Sequence, residues 1–305
     1  MQNVIDNIFN ALFNEKNKLR IEIATLYVAS IGFIVHLILV FLNIYEIVSF
    51  PDQLDGLLSN PISAIYTPFS FILFYEVFLL IYYLPNSFSI AIAKQYEIVS
   101  LILIRRIFKD ISYLDFSNEN FDVFEAENIS LLYDSVGFIL IFFLIFLFRY
   151  LLVKKRQHTI TQNIQGFINF KKLICVLLFP ALIIMSVYSF GNWVIEIDQL
   201  NAGLISEITD FNKIFYHDFF AVLIIVDVLI LIASFRYTDR YSLLIRNTGF
   251  VITTVLIRVS FSSNGLGNFV LLVSGIAFGV LILYIYSLYD KIDKGESTKE
   301  SYAYL

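Results

Sequence analysis

Apolar residues along this chain arrive in long unbroken blocks separated by short polar stretches. That is the pattern of bilayer-spanning helices, not the alternation of a half-buried strand. Six blocks are clear, at about 22–49, 67–84, 130–152, 172–196, 217–236 and 267–289. Two more, about 88–110 and 243–261, are apolar but carry ionisable residues inside them, each of which offsets several leucines on an insertion scale. Ahead of the first block, Val4, Ile5, Ile8, Phe9, Leu12 and Phe13 recur at helical spacing. They predict an amphipathic segment over 1–21 lying on the membrane surface, not a cleaved signal peptide. Thr67-Pro68 reads as an N-cap and first helical turn, Pro85 as a turn between spans, and Pro180 as a kink inside one.

The placement of charge decides whether the two doubtful blocks cross. Lys16, Lys18 and Arg20 precede the first span. Arg149, Lys154, Lys155, Arg156, Lys171 and Lys172 surround a central linker, and Lys291, Lys294 and Lys299 follow the last span. The positive-inside rule puts all three regions in the cytoplasm, which requires an even number of crossings between them. Four spans in each half satisfy it. The loops left on the other side are then acidic, with Asp52 and Asp55 in the first, Asp110, Asp115, Glu119, Asp122, Glu125 and Glu127 in the second, and Asp198, Glu207, Asp210 and Asp218 in the third. The fold class expected is all-α and polytopic, with eight transmembrane helices as two parallel four-helix repeats, N-in and C-in. Its parts are an interfacial segment 1–21, a first repeat 22–152, a basic cytoplasmic linker 153–171, a second repeat 172–290 and a cytoplasmic tail 291–305.

The repeat rests on recurring charges. Glu76, Lys94 and Arg106 in the first half correspond to Asp227, Arg246 and Arg258 in the second, at offsets of 151, 152 and 152 residues. Phe-Tyr-Glu-Val-Phe-Leu-Leu-Ile around Glu76 matches Ile-Val-Asp-Val-Leu-Ile-Leu-Ile around Asp227, and Glu46 pairs in the same way with Glu196. Two units entering the membrane in the same direction are related by a pseudo-two-fold axis along its normal.

A charge at the bilayer centre costs on the order of 2.5–3.5 kcal/mol, so it faces protein or water and finds a partner. Placed by topology, Glu46, Arg106 and Glu76 form one cluster, and Glu196, Arg258 and Asp227 form its copy. Such clusters either line or gate a polar path, or fix helix register as structural ion pairs. His36, mid-span on the first helix, and Glu97, a turn from Lys94, are candidate members of a proton relay; Gly249 stands where a second copy of Glu97 would be. Arg105, Arg106 and Lys109 cluster at one end of their helix, unlike the evenly spaced arginines of a voltage sensor.

Composition narrows the remaining classes. Of 305 residues, 58% are hydrophobic and 15% charged, with a net charge of −5 and a mean hydropathy of +0.77. That excludes a disordered chain and a basic nucleic-acid binder. The single cysteine, Cys175, permits no internal disulfide and no cysteine metal cluster. His158 and His217 have no metal-ligand company, and Gly265-Leu266-Gly267 reads as a tight turn, not a phosphate loop. No nucleophile–base arrangement occurs, so neither an enzyme, a metal nor a cofactor is expected.

The second half, over about 215–290, resembles the PsiE family of small bacterial inner-membrane proteins. The residues that carry the likeness are Val-Asp-Val-Leu-Ile-Leu-Ile-Ala-Ser-Phe-Arg-Tyr at 226–237 and Leu-Ile-Arg-Asn-Thr-Gly-Phe-Val-Ile-Thr-Thr-Val-Leu-Ile-Arg-Val at 244–259. That family places an acid in its second span and two arginines 12 residues apart around its third, positions that fall here on Asp227, Arg246 and Arg258. In the first half Glu76 and Arg106 fit and Lys94 replaces the first arginine. The resemblance implies a bacterial inner-membrane protein linked to a stress response, fused here as a double unit. Two functions are then expected as alternatives. One is a channel or transporter for a small ion. The other is a non-transporting sensor or scaffold, with its basic linker and tail against anionic lipid headgroups or a partner. Either could act as a homo-oligomer within the bilayer.

Overall fold

The computed structural model describes residues 2–48, 58, 60–113, 126–154, 165–201, 211–237, 240–263 and 265–303, and among these it is all-helical. A short helix α1 (Gln2–Leu12) turns into α2 (Glu15–Ile44). A 3-10 turn at Pro61–Ile65 then leads into α3 (Tyr66–Tyr82) and α4 (Phe88–Tyr113), followed by α5 (Ala126–Lys154). The second set of four is α6 (Gln165–Asn201), α7 (Phe211–Phe235), α8 (Tyr241–Ser260) and α9 (Gly265–Ala303). Seven helices are long and apolar enough to cross a membrane. The exception is α4, whose 26 residues include Lys94, Glu97, Arg105, Arg106, Lys109 and Asp110. The chain is therefore a multi-pass helical membrane protein by length and composition.

Local signals account for both ends of α2. Asn14 caps α2, its side-chain oxygen accepting from the Asn17 N–H at 2.7 Å. At the other end, Glu46 takes a left-handed φ of 53°. Its N–H donates to the Asn43 carbonyl, and that of Ile47 reaches back to Leu42. This is a Schellman ending, with glutamate where glycine is usual. Pro85 lies in the turn between α3 and α4, as expected. Thr67 is not an N-cap: the preceding 3-10 turn runs straight into α3, and the Thr67 hydroxyl hydrogen-bonds the ring of His36 instead. Pro180 lies inside α6. That helix begins at Gln165, so the last seven residues assigned to the linker are helical, because Phe167 and Phe170 pack onto the core. The helix α9 likewise continues through the segment assigned to the tail.

Two cores form, and α4 belongs to both. One joins Phe13, α3, α6 and α7 to the Ile98 and Ile102 face of α4. The other joins α5, α8 and α9 to the face carrying Ala93, Tyr96 and Leu103. By contrast α2 is an outer helix: it packs on α3 and the 3-10 turn, and 11% of its most apolar stretch is buried. The amphipathic α1 turns Phe9, Leu12 and Phe13 onto the first core while Val4 and Ile8 stay exposed. Phe13 stacks on Phe78 at 5.9 Å and meets Phe179 edge-on, and Lys172 reaches Asp6 at 2.6 Å.

The two ends of the bundle differ in chemistry. One carries the α3–α4 turn and the start of α6, and gathers Lys18, Lys94, Arg149, Lys171 and Lys172. The other carries the end of α4 and the α8–α9 turn. The acidic loop residues Asp52, Asp55, Asp115, Glu119, Asp122, Glu125, Glu207 and Asp210, with Lys155, Arg156 and His158 of the linker, lie outside the described residues.

Candidate functional site

Paired charges lie inside the bundle where α3 faces α4 and where α7 faces α8. Glu76, 2% exposed, sits 3.4 Å from Arg105, 5% exposed. Asp227 and Arg258, each 6% exposed, approach to 2.6 Å. The third polar group on the second pair is Thr254, whose hydroxyl donates to Asp227 Oδ2 at 2.7 Å. The Val251 carbonyl lies 2.9 Å from the same hydroxyl, so it has two acceptors within reach. An ion pair so buried must be matched well, since its desolvation is not offset by water.

The clusters differ from the expected ones. Arg106 does not join Glu76; its guanidinium forms a two-pronged pair with Asp134 of α5. Consecutive helical residues point about 100° apart, so two adjacent arginines cannot both face α3. Arg105 turns to Glu76 and Arg106 turns to α5. Glu46 does not take part either, because it is exposed and forms the Schellman ending of α2. Glu196 lies half-buried near the end of α6, and Asp227 meets Arg258 and Thr254. Asp134 escaped the sequence reading although one signal was present: it is an acid at the start of an otherwise apolar block. Arg105 was masked by its neighbour, since the repeat spacing selects Arg106.

The remaining candidates are at the basic end or apart from it. Lys94 pairs with Glu97 at 2.8 Å, and Glu97 also binds Arg149 at 2.9 Å. Arg246, the counterpart of Lys94, lies 4.6 Å over the ring of Tyr286 and hydrogen-bonds Asn247. His36 faces Thr67, about 13 Å along α3 from Glu76 at 1.5 Å per residue. The structure therefore does not bring His36 and Glu97 together.

Two small cavities flank the Asp227–Arg258 pair where α4 meets α7 and α8. The one toward the basic end is lined by Lys171, Gln95 and Asp227 among apolar groups that include Phe88. The other is lined by Gln95, Thr254 and Arg258, with Phe220 and Phe261. Gln95 borders both. Lys171 is 3% exposed and donates to the Asn86 carbonyl at 2.7 Å, between the rings of Phe88 and Phe167. Phe220 and Phe261 stack at 5.3 Å. Sequence reasoning named neither Gln95 nor Thr254 nor Lys171 as site residues, because a single amide, hydroxyl or end-of-helix lysine carries no spacing signal. Among the described residues no three His, Cys, Asp or Glu side chains converge as a metal site.

No family model, no curated protein and no solved structure matches this chain.

Proposed function

We propose that this protein is a channel or transporter for a small ion, with the Asp227–Arg258 pair lining and gating the route. The observation that carries this reading is the position of that pair: it is buried, yet bordered by two cavities that bring Gln95, Thr254 and Lys171 to it. Ionisable residues buried within membrane spans commonly mark ion pathways. The Glu76–Arg105 pair is its counterpart in a duplicated first half. The basic end faces the cytoplasm by the positive-inside rule, which puts both termini inside a bacterial inner membrane. A PsiE-like origin for both halves fits this arrangement and adds a link to stress response.

A second reading, a non-transporting sensor or scaffold, is favoured by one feature. In the first half three cations on α4 are already matched, Lys94 by Glu97, Arg105 by Glu76 and Arg106 by Asp134. Flux assays on purified protein in liposomes separate the two. Sodium, potassium, chloride and proton movement is compared between the native chain and Asp227→Asn and Arg258→Gln variants matched for detergent elution and helix content. A flux changed by either variant supports transport. Absence of flux for all four species gives the scaffold reading.

A further inference from the structure

One group of charges lies on the outside of the bundle, on a surface that is otherwise apolar. Ile90, Lys94, Glu97 and Leu101 fall on one stripe of α4, three or four residues apart. Ile90 and Leu101 are exposed, so the stripe faces out of the protein, and Lys94 and Glu97 lie half-buried between them. On the neighbouring α5, Arg149 shares an exposed face with Phe142, Phe146 and Val153. Glu97 bridges the two cations. One of its carboxylate oxygens accepts from the Lys94 ammonium at 2.8 Å, and the other lies 2.9 Å from Arg149 Nη1. The ring of Tyr83, at the end of α3, lies 5.4 Å from the same ammonium.

Two positive charges therefore share one negative charge. Among the described residues, Glu97 is the acid paired with either of them. An ammonium has three N–H donors and a guanidinium five, more than one carboxylate can take. The Arg149 side chain also keeps 57% of its surface exposed. At 1.5 Å per residue, Lys94 and Arg149 both lie within about 9 Å of the basic ends of their helices. Towards the middle of the bundle the same surface turns apolar, with Leu101 on α4 and Phe142 and Phe146 on α5.

We infer that Lys94 and Arg149 hold the headgroup phosphate of an anionic phospholipid, with its acyl chains along Leu101, Phe142 and Phe146. The inference is independent of the transport reading, and the site is distinct from the basic linker and tail. Charge complementarity selects the occupant. A phosphodiester brings one negative charge to a group with one positive charge in excess, and its oxygens accept from the donors that Glu97 leaves over. The guanidinium can take two phosphate oxygens at once, while the ammonium acts as a point charge. Basic pockets between spans recognise anionic headgroups in this way. A zwitterionic lipid carries its own cation and gains less. A soluble anion makes no use of the apolar strip beside the cations.

The test is a titration of acyl-chain-labelled phosphatidylglycerol into the full chain in uncharged detergent micelles, with labelled phosphatidylcholine as the zwitterionic control. The native chain should bind phosphatidylglycerol about tenfold tighter than phosphatidylcholine. Lys94→Gln and Arg149→Gln, matched for elution and helix content, should each remove most of that preference. Glu97→Gln should do the reverse and tighten phosphatidylglycerol binding, because it removes the competing acid and frees both cations. A trio that only fastens α4 to α5 gives a preference that Glu97→Gln leaves unchanged or lowers, and either result overturns the inference. Equal affinity of the native chain for the two lipids overturns it as well. Inorganic phosphate at millimolar concentration should not displace the labelled lipid; displacement would assign the cations to a free anion and overturn the lipid as occupant.

Discussion

The two buried ion pairs occupy corresponding helices and differ in how completely they are enclosed. Glu76 and Arg105 are 3.4 Å apart, and the neighbouring Arg106 is committed to Asp134, so the first-half side of α4 is fastened to both α3 and α5. Asp227 and Arg258 are closer, at 2.6 Å, and share a hydroxyl, yet two cavities border them. The same charge pattern thus sets one pair next to a second ion pair and leaves the other beside two small, mainly apolar cavities.

The sharpest way to break the comparison is to remove one partner of each pair. Arg258→Leu strands Asp227 in the interior and should cost about 3–5 kcal/mol, the usual penalty for an uncompensated buried charge. It should be visible as a large drop in the thermal midpoint in detergent. Replacing both partners separates structure from function. The double variants Glu76→Leu/Arg105→Leu and Asp227→Leu/Arg258→Leu should each recover most of that loss, since apolar residues need no matching. Liposome flux should survive the first and vanish in the second. Loss of flux in both would make the pairs equivalent and end the distinction.

A packing change offers an intermediate effect. A Cβ at Gly279 would lie 1.9 Å from the Tyr96 hydroxyl and 3.2 Å from Thr253. Gly279→Ala should therefore push α4 away from α9, at about 1–3 kcal/mol for overpacking. It should disturb the Asp227 side more than the Glu76 side. Adding Tyr96→Phe, which removes the clashing oxygen, should restore much of the midpoint; no restoration would mean that contact is not the source of strain. The smallest effect belongs to the half-exposed basic end. Glu97→Gln loses partners in Lys94 and Arg149 that already see solvent, so about 0–1 kcal/mol is expected, diminishing in high salt. At the end of α2, Glu46→Gly should stabilise by about 1 kcal/mol, because glycine adopts a positive φ without steric cost. Unfolding midpoints of the single variants check both.

How far the sequence reaches is clearest in α2 and α4. The outer helix α2 is legible because lipid is as apolar as its side chains, and a bare hydropathy count finds it. The central helix α4 is weakly apolar because it touches protein on both faces, where Lys94, Arg105 and Arg106 meet acids. The count of charged regions still requires it as a helix between α3 and α5, even though hydropathy alone does not. The partners of its charges are another matter. Repeat spacing selects Arg106, but a side chain's direction changes by about 100° per residue, and one residue decides whether an arginine meets Glu76 or Asp134. Glu46 likewise fits the repeat by number, while it stands exposed in the left-handed ending of α2.

By itself the sequence determined the eight long helices, the amphipathic first helix, the basic character of one end and the burial of charge within the bundle. Each follows from one-dimensional quantities: the length of an apolar block, its period, and the order of charges along the chain. Only the tertiary structure decided which acid meets which base, that Thr254 completes the second pair, and that Gln95 and Lys171 border cavities beside it. Those depend on helix rotation and on which helices become neighbours, set by packing between separate helices of the chain. Nothing local in the chain encodes them.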